Sequence, residues 1–166
     1  MRVRMKMMRL VATAALALAL SAAAPAHAQT REPAYRVTGI RAQLFYSDRG
    51  TFSGDVLADT GKALWNTVIG EGDAGGPSTS TLVVVEVTGA PGSYEPERSV
   101  ELTATAAGKV LLRATQPAAI LNRRGKMYAG FWLPETGCTP IRLTARMRGQ
   151  TRASEMRREI PFECGE

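Results

Sequence analysis

The chain is poor in the residues on which most enzymatic and metal chemistry depends. Its 166 residues include one histidine, His27, two cysteines, and 6% aromatic side chains. Its most apolar stretch, Leu10 to Leu20, is eleven residues long. That is well short of the ~20 a bilayer-spanning helix needs. No G-x-S-x-G or S-x-x-K pattern is present, so the common serine-hydrolase arrangements are missing. One imidazole cannot build a histidine metal centre. Neither a cofactor nor a metal is expected, and the expectation for the whole chain is a non-enzymatic protein.

The first 28 residues read as an address. Arg2, Arg4, Lys6 and Arg9 precede the apolar run, and Ala26-His27-Ala28 follows it. A basic segment, an apolar segment and a small-x-small site make a secretory signal, with cleavage expected after Ala28. The expected localisation is therefore periplasmic or secreted, with a domain over residues 29–166 and no membrane span in the mature chain. Cleavage also changes the charge. The intact chain carries +6, but the leader takes four basic residues and no acidic ones, leaving 17 Lys and Arg against 15 Asp and Glu. A balance of +2 no longer points to nucleic acid, which is not an expected partner. Cleavage removes His27 as well.

Cys138 and Cys164 remain as an even pair, and in an exported protein such a pair reads as a disulfide. The segment between them has the pattern of a hairpin. Ile141, Leu143, Ala145 and Met147 alternate with Arg142, Thr144, Arg146 and Arg148. A polar turn, Gly149 to Arg152, leads to a second strand carrying Met156, Ile160 and Phe162. The two cysteines fall on opposite parities of this ladder, so a bulge is expected at Thr139-Pro140.

Upstream, alternation over Tyr35–Tyr46 and Val100–Ala106 predicts half-buried strands. Leu82 to Val87 is nearly continuous and β-branched, the pattern of a strand covered on both faces. Val110-Leu111-Leu112 and Met127 to Leu133 add two more strands, and Asp55 to Ile69 reads as a loop with one short strand. About seven short strands separated by Gly- and Pro-containing turns predict a single antiparallel immunoglobulin-like β-sandwich. The leader, the strand pattern and the C-terminal cysteine hairpin resemble exported immunoglobulin-like domains of Gram-negative bacteria. Leu64-Trp65-Asn66-Thr67-Val68-Ile69-Gly70-Glu71-Gly72 and Phe162-Glu163-Cys164-Gly165-Glu166 are similar to segments of uncharacterised members of that group. The resemblance implies a fold and no activity.

Four features carry candidate function, each beside a plainer reading. Gly70 to Gly75 matches G-x-G-x-x-G, but a dinucleotide loop must open a helix, and Gly76-Pro77 follows here. Glu71 and Asp73, with Asp55 and Asp59, supply oxygen ligands without calcium-loop spacing, so solvated carboxylates are the default. Tyr128, Phe131 and Trp132 form either an exposed aromatic platform or a central strand buried on both faces. Arg142, Arg146, Arg148 and Arg157, with Arg152 and Arg158, form either an anion-facing hairpin or a solvated strand face. The candidate binding surface is thus Arg142, Arg146, Arg148, Arg157, Tyr128 and Trp132. The functional expectation is a β-sandwich that binds a protein or glycan of the cell envelope. The alternatives are a small cell-wall-directed hydrolase or hydrolase inhibitor, and a structural subunit joined through edge strands.

Overall fold

The computed structural model describes residues 34–59 and 61–165. The expected leader, 1–28, lies outside them. Ten strands form among the described residues: β1 (Arg36–Tyr46), β2 (Thr51–Phe52), β3 (Leu64–Trp65), β4 (Ser80–Thr88), β5 (Ser99–Ala106), β6 (Lys109–Pro117), β7 (Lys126–Pro134), β8 (Ile141–Arg148), β9 (Glu155–Ile160) and β10 (Phe162–Glu163). The described helical structure is a single 3₁₀ turn, Gly72–Ala74. None of it is long and apolar enough to cross a membrane.

Two four-stranded antiparallel sheets stack as a sandwich. The first has the order β2-β1-β4-β7 and the second β6-β5-β8-β9. Three links, β4 to β5, β6 to β7 and β7 to β8, carry the chain from one sheet to the other. This is the Greek-key logic of an immunoglobulin-like sandwich, the fold expected from the alternation. The seven longer strands are the expected ones. The two-residue strands β3 and β10 pair in parallel, Phe162 with Leu64 and Glu163 with Trp65.

Alternation decides which side chains meet between the sheets. The first sheet sends in Ile40, Ala42 and Leu44 from β1, Val83, Val85 and Val87 from β4, and Ala129, Phe131 and Leu133 from β7. The second answers with Val100, Leu102 and Ala104 from β5 and Ile141, Leu143 and Ala145 from β8. Burying each of the larger side chains stabilises the fold by ~1.5–3 kcal/mol. The few buried polar groups are paired. Thr81 and Thr136 share a hydroxyl hydrogen bond of 2.8 Å, and the Arg98 guanidinium lies 4.5 Å above the Tyr35 ring. Gly149, in the β8–β9 turn, has φ +76°, and a Cβ there would sit 2.0 Å from the Glu97 carbonyl oxygen. Glycine is needed at that turn on both counts.

Several expectations are corrected. Leu82 to Val87 is central in its sheet but is buried on one face, with Leu82, Val84 and Glu86 half-buried on the other. Hydrogen bonding on both edges of β4 did not bring cover on both faces. The reading of Met127 to Leu133 as a central strand buried on both faces fails, because β7 is an edge strand with Phe131 inside and Tyr128 and Trp132 outside. The second strand of the C-terminal hairpin stops at Ile160, where Pro161 breaks it, and Phe162 belongs to β10. Cys138 and Cys164 are joined, as expected, at a Cα separation of 4.8 Å. However, Cys138 precedes β8 and Cys164 follows β10, so no bulge at Thr139-Pro140 is required. The register shifts occur instead between Val37 and Gly39 and between Ala104 and Thr105.

Candidate functional site: the outer face of the first sheet

The face of the β2-β1-β4-β7 sheet turned away from the core is aromatic at its centre. Phe45 on β1 has the wrong parity for the core, and its register partner on β2 is Phe52. Their ring centroids lie 5.2 Å apart. Trp132 on β7 reaches back across β4, its ring centroid 5.4 Å from Phe45 and 6.3 Å from Phe52. Strands two apart are separated by ~9.6 Å, so these rings lean toward each other over β4. The small Ser80, level with Phe45, leaves them room. The three planes are inclined by 49°, 66° and 86°, tilted and edge-to-face arrangements that aromatic rings favour.

The cluster remains in contact with solvent. Phe52 and Trp132 are each 44% exposed and Tyr128 is 47% exposed. Between Tyr128 and Trp132 on the same strand stands Gly130, level with Val84. With no side chain, Gly130 leaves a notch between the two aromatics, with the Leu82 side chain 3.6 Å from where a Cβ would sit. The far edge of this strand is tied down, because the Gln116 side chain on β6 donates to the Gly130 carbonyl.

A polar group organises the other end of the face. Glu86 accepts two hydrogen bonds from the Lys126 ammonium at 3.0 Å, one from Thr38 at 3.0 Å and one from the Tyr128 hydroxyl at 3.2 Å. The Lys126 ammonium holds the Glu86 carboxyl below the usual glutamate range; burial opposes it, and the Thr38 and Tyr128 hydroxyls add to the lowering. Arg41 lies 5.3 Å over the Tyr128 ring. Among the described residues no carboxylate pairs with it. Trp, Tyr and Arg side chains gathered on one exposed face are the composition of protein-binding hot spots.

The candidate arginines lie on the opposite side of the molecule, on the outer face of the second sheet. Each is set beside a carboxylate, directly or diagonally across neighbouring strands for Arg142, Arg146 and Arg148 and along β9 itself for Arg157. Arg148 meets Glu101 at 2.6 Å, Arg157 meets Glu155 at 2.7 Å, Arg142 meets Glu159 at 3.6 Å, and Arg146 is bonded to Glu155. The Arg146 guanidinium lowers the pKa of Glu155, with Arg157 adding to it. Four arginines share three carboxylates in pairs of the kind that stabilise neighbouring strands by ~0.2–1 kcal/mol. The six residues of the candidate surface are thus split, Tyr128 and Trp132 on one sheet and the arginines on the other.

The remaining candidates are engaged locally. Asp55 accepts from the backbone N–H of Ala42 and Leu57, Asp59 from Gly61, and Asp73 from Ala63. Among the described residues no group of three or more His, Cys, Asp or Glu is gathered to hold a metal. Gly70 to Gly75 leads through its 3₁₀ turn to β4 and opens no α-helix. A cleft beside β9 is lined by Val56, Leu57, Asp59, Lys62, Arg158 and Glu159. It contains two carboxylates, of which Glu159 is already paired with Arg142.

Phe45, Phe52, Arg41, Glu86 and Gly130 complete the aromatic face, and none was among the sequence candidates. One signal was available for Phe45: it interrupts the polar parity of a strand whose other parity is filled by Ile40, Ala42, Leu44 and Tyr46. Which strands lie beside it is a matter of topology, and parity does not supply that.

No protein-family model matches the chain, and no curated protein matches it. Among solved structures, a Bacteroides fragilis protein described as a "putative beta-galactosidase" is similar at a TM-score of 0.36 and 14% identity. The match covers 49% of this chain and 14% of that one. A likeness of that size carries no argument about activity.

Proposed function

We propose that the chain is an exported, non-catalytic β-sandwich that binds a protein of the cell envelope through the outer face of its first sheet. The observation that carries this reading is the exposed Phe45–Phe52–Trp132 cluster, continued by Tyr128 and Arg41. Contiguous apolar surface of this kind on a folded domain marks an interaction site. Arg36 and Arg41 on the same face favour a partner whose apolar patch is edged by carboxylates, while Lys126 is taken up by Glu86. The leader-like segment and the disulfide support an extracytoplasmic setting. On this reading the paired arginines of the second sheet steady β8 and β9, and contact is made elsewhere.

A photo-crosslinking amino acid at Tyr128 tests the proposal, with the same group at Thr115 on the other sheet as control. The expected result is a discrete protein adduct from position 128 and none from 115. Equal adducts from both positions, no adduct from 128, or a carbohydrate adduct overturns it.

A further inference from the structure

Resting on the reading that this face is a protein-binding surface, we infer that its partner is a second copy of the same chain, packed face to face about a two-fold axis that crosses the strands. The register of the sheet carries the inference. Arg36, Thr88 and Lys126 lie on one level, Gly39, Glu86 and Tyr128 on a second, Arg41, Val84 and Gly130 on a third, Gln43, Leu82 and Trp132 on a fourth, and Phe45, Ser80 and Pro134 on a fifth. A two-fold axis between the third and fourth levels exchanges those two, and exchanges the second with the fifth. Trp132 of each copy is then set over the Gly130 notch of the other, and Tyr128 over Pro134.

The same operation matches charge. The first level ends the face with Arg36 and Lys126. The opposite end is followed by Asp48, just beyond β1, and Glu135, just beyond β7, both exposed. Exchange of ends places Arg36 opposite the Asp48 end of the second copy, and Lys126, which already holds Glu86 of its own copy, opposite the Glu135 end. Asp48 is 3.7 Å from Arg49, but that guanidinium also binds the Gly75 carbonyl and lies 4.2 Å over the Tyr46 ring. An isologous interface requires a patch that is its own complement, and the register gives this face that symmetry in the placement of Gly130 against Trp132 and of its oppositely charged ends. Sheets stacked this way pack ~10 Å apart with side chains interdigitated. The face offers on the order of 500 Å² per copy, toward the lower end of specific interfaces and in keeping with a reversible dimer.

Sedimentation equilibrium of the purified exported chain tests this. A concentration-dependent dimer is expected. Gly130→Val should abolish it by filling the notch. That residue has no left-handed backbone, and its added Cβ would meet Leu82 at an ordinary 3.6 Å, so the monomer should melt as before. Arg36→Glu and Asp48→Arg should each weaken the dimer about tenfold by opposing like charges, and the double variant should restore it. A chain that stays monomeric, a dimer indifferent to Gly130→Val, or a double charge variant without recovery overturns the inference. If the chain is monomeric while crosslinking from position 128 traps a different protein, the binding reading stands and the second copy is replaced. If it is monomeric and nothing is trapped, both fall.

Discussion

Breaking the Cys138–Cys164 bridge should cost a large share of the stability of this domain. The bridge spans 26 positions and encloses β8 and β9 entirely. On the chain-entropy relation, a loop of that length contributes ~3.5 kcal/mol by restricting the unfolded chain. Typical domains are stable by 5–15 kcal/mol, and at this size the loss corresponds to a melting temperature about 13 °C lower. The competing view is that the loop ends are already held without the bridge. Asn66 donates its backbone N–H to the Glu163 carbonyl at 2.7 Å, and its side chain accepts from the Gly165 N–H at 2.9 Å. Those bonds exist in the folded state and break on unfolding, so they cannot replace a restriction on the unfolded chain. Urea unfolding of Cys138→Ser/Cys164→Ser against the oxidised parent decides between the views. Both cysteines are exposed, so the parent treated with dithiothreitol serves as a second measurement without mutation. A loss below ~1 kcal/mol in both would refute the entropic argument for this chain.

Other expectations concern the fold and the aromatic face. Gly149→Ala should destabilise by more than about 2 kcal/mol, combining left-handed strain with the Glu97 carbonyl clash. Gly108→Ala, at a similar φ of +77° with nothing within 4 Å, should cost about 1 kcal/mol. Equal losses in thermal melts would show that the clash does not matter. Leu143→Ala, at a fully buried site facing the first sheet, should cost ~2–5 kcal/mol in denaturant unfolding, and a loss under ~1 kcal/mol would mean the core is not packed there. Glu86 is held below the ordinary glutamate range when folded, so its contribution is present above that range and is lost as pH falls through the lowered folded value. The parent should therefore exceed Glu86→Gln in stability at neutral pH and converge on it in acid. A gap that does not change with pH would contradict this.

The fold was legible because each core strand states its own parity. In β5 and β8, one alternation of apolar and polar residues suffices to say which side chains enter the sandwich. The disulfide was expected from two cysteines and a leader-like N-terminal segment. What parity cannot report is whether a strand stands at the centre or the edge of a sheet, and on which strands its outer residues border. That is why the apolar run Met127 to Leu133 reads first as a doubly buried strand and only second as an aromatic platform, while the structure makes it an edge. It is also why Phe45 and Phe52, seven positions apart around a turn, do not announce contact with Trp132. The six arginines of the last hairpin dominate the sequence as a charge cluster. Two of their partners, Glu155 and Glu159, stand on the same hairpin and were legible, but Glu101 comes from β5, whose place beside β8 only the folded chain reveals.

The position of the bridge also decides how the domain bears tension. A pull on the C-terminus reaches Cys164, passes through sulfur to Cys138, and enters the sandwich in the link between β7 and β8. The 26-residue span between the cysteines lies off the load path, and about 90 Å of extended chain cannot be drawn out. Force applied across the two ends of the oxidised domain would unravel β1 through β7 while β8 and β9 stayed slack behind a covalent shortcut. In reduced protein the same pull would peel β10 and β9 first, so the contour length released per unfolding event reads out the redox state of one bond.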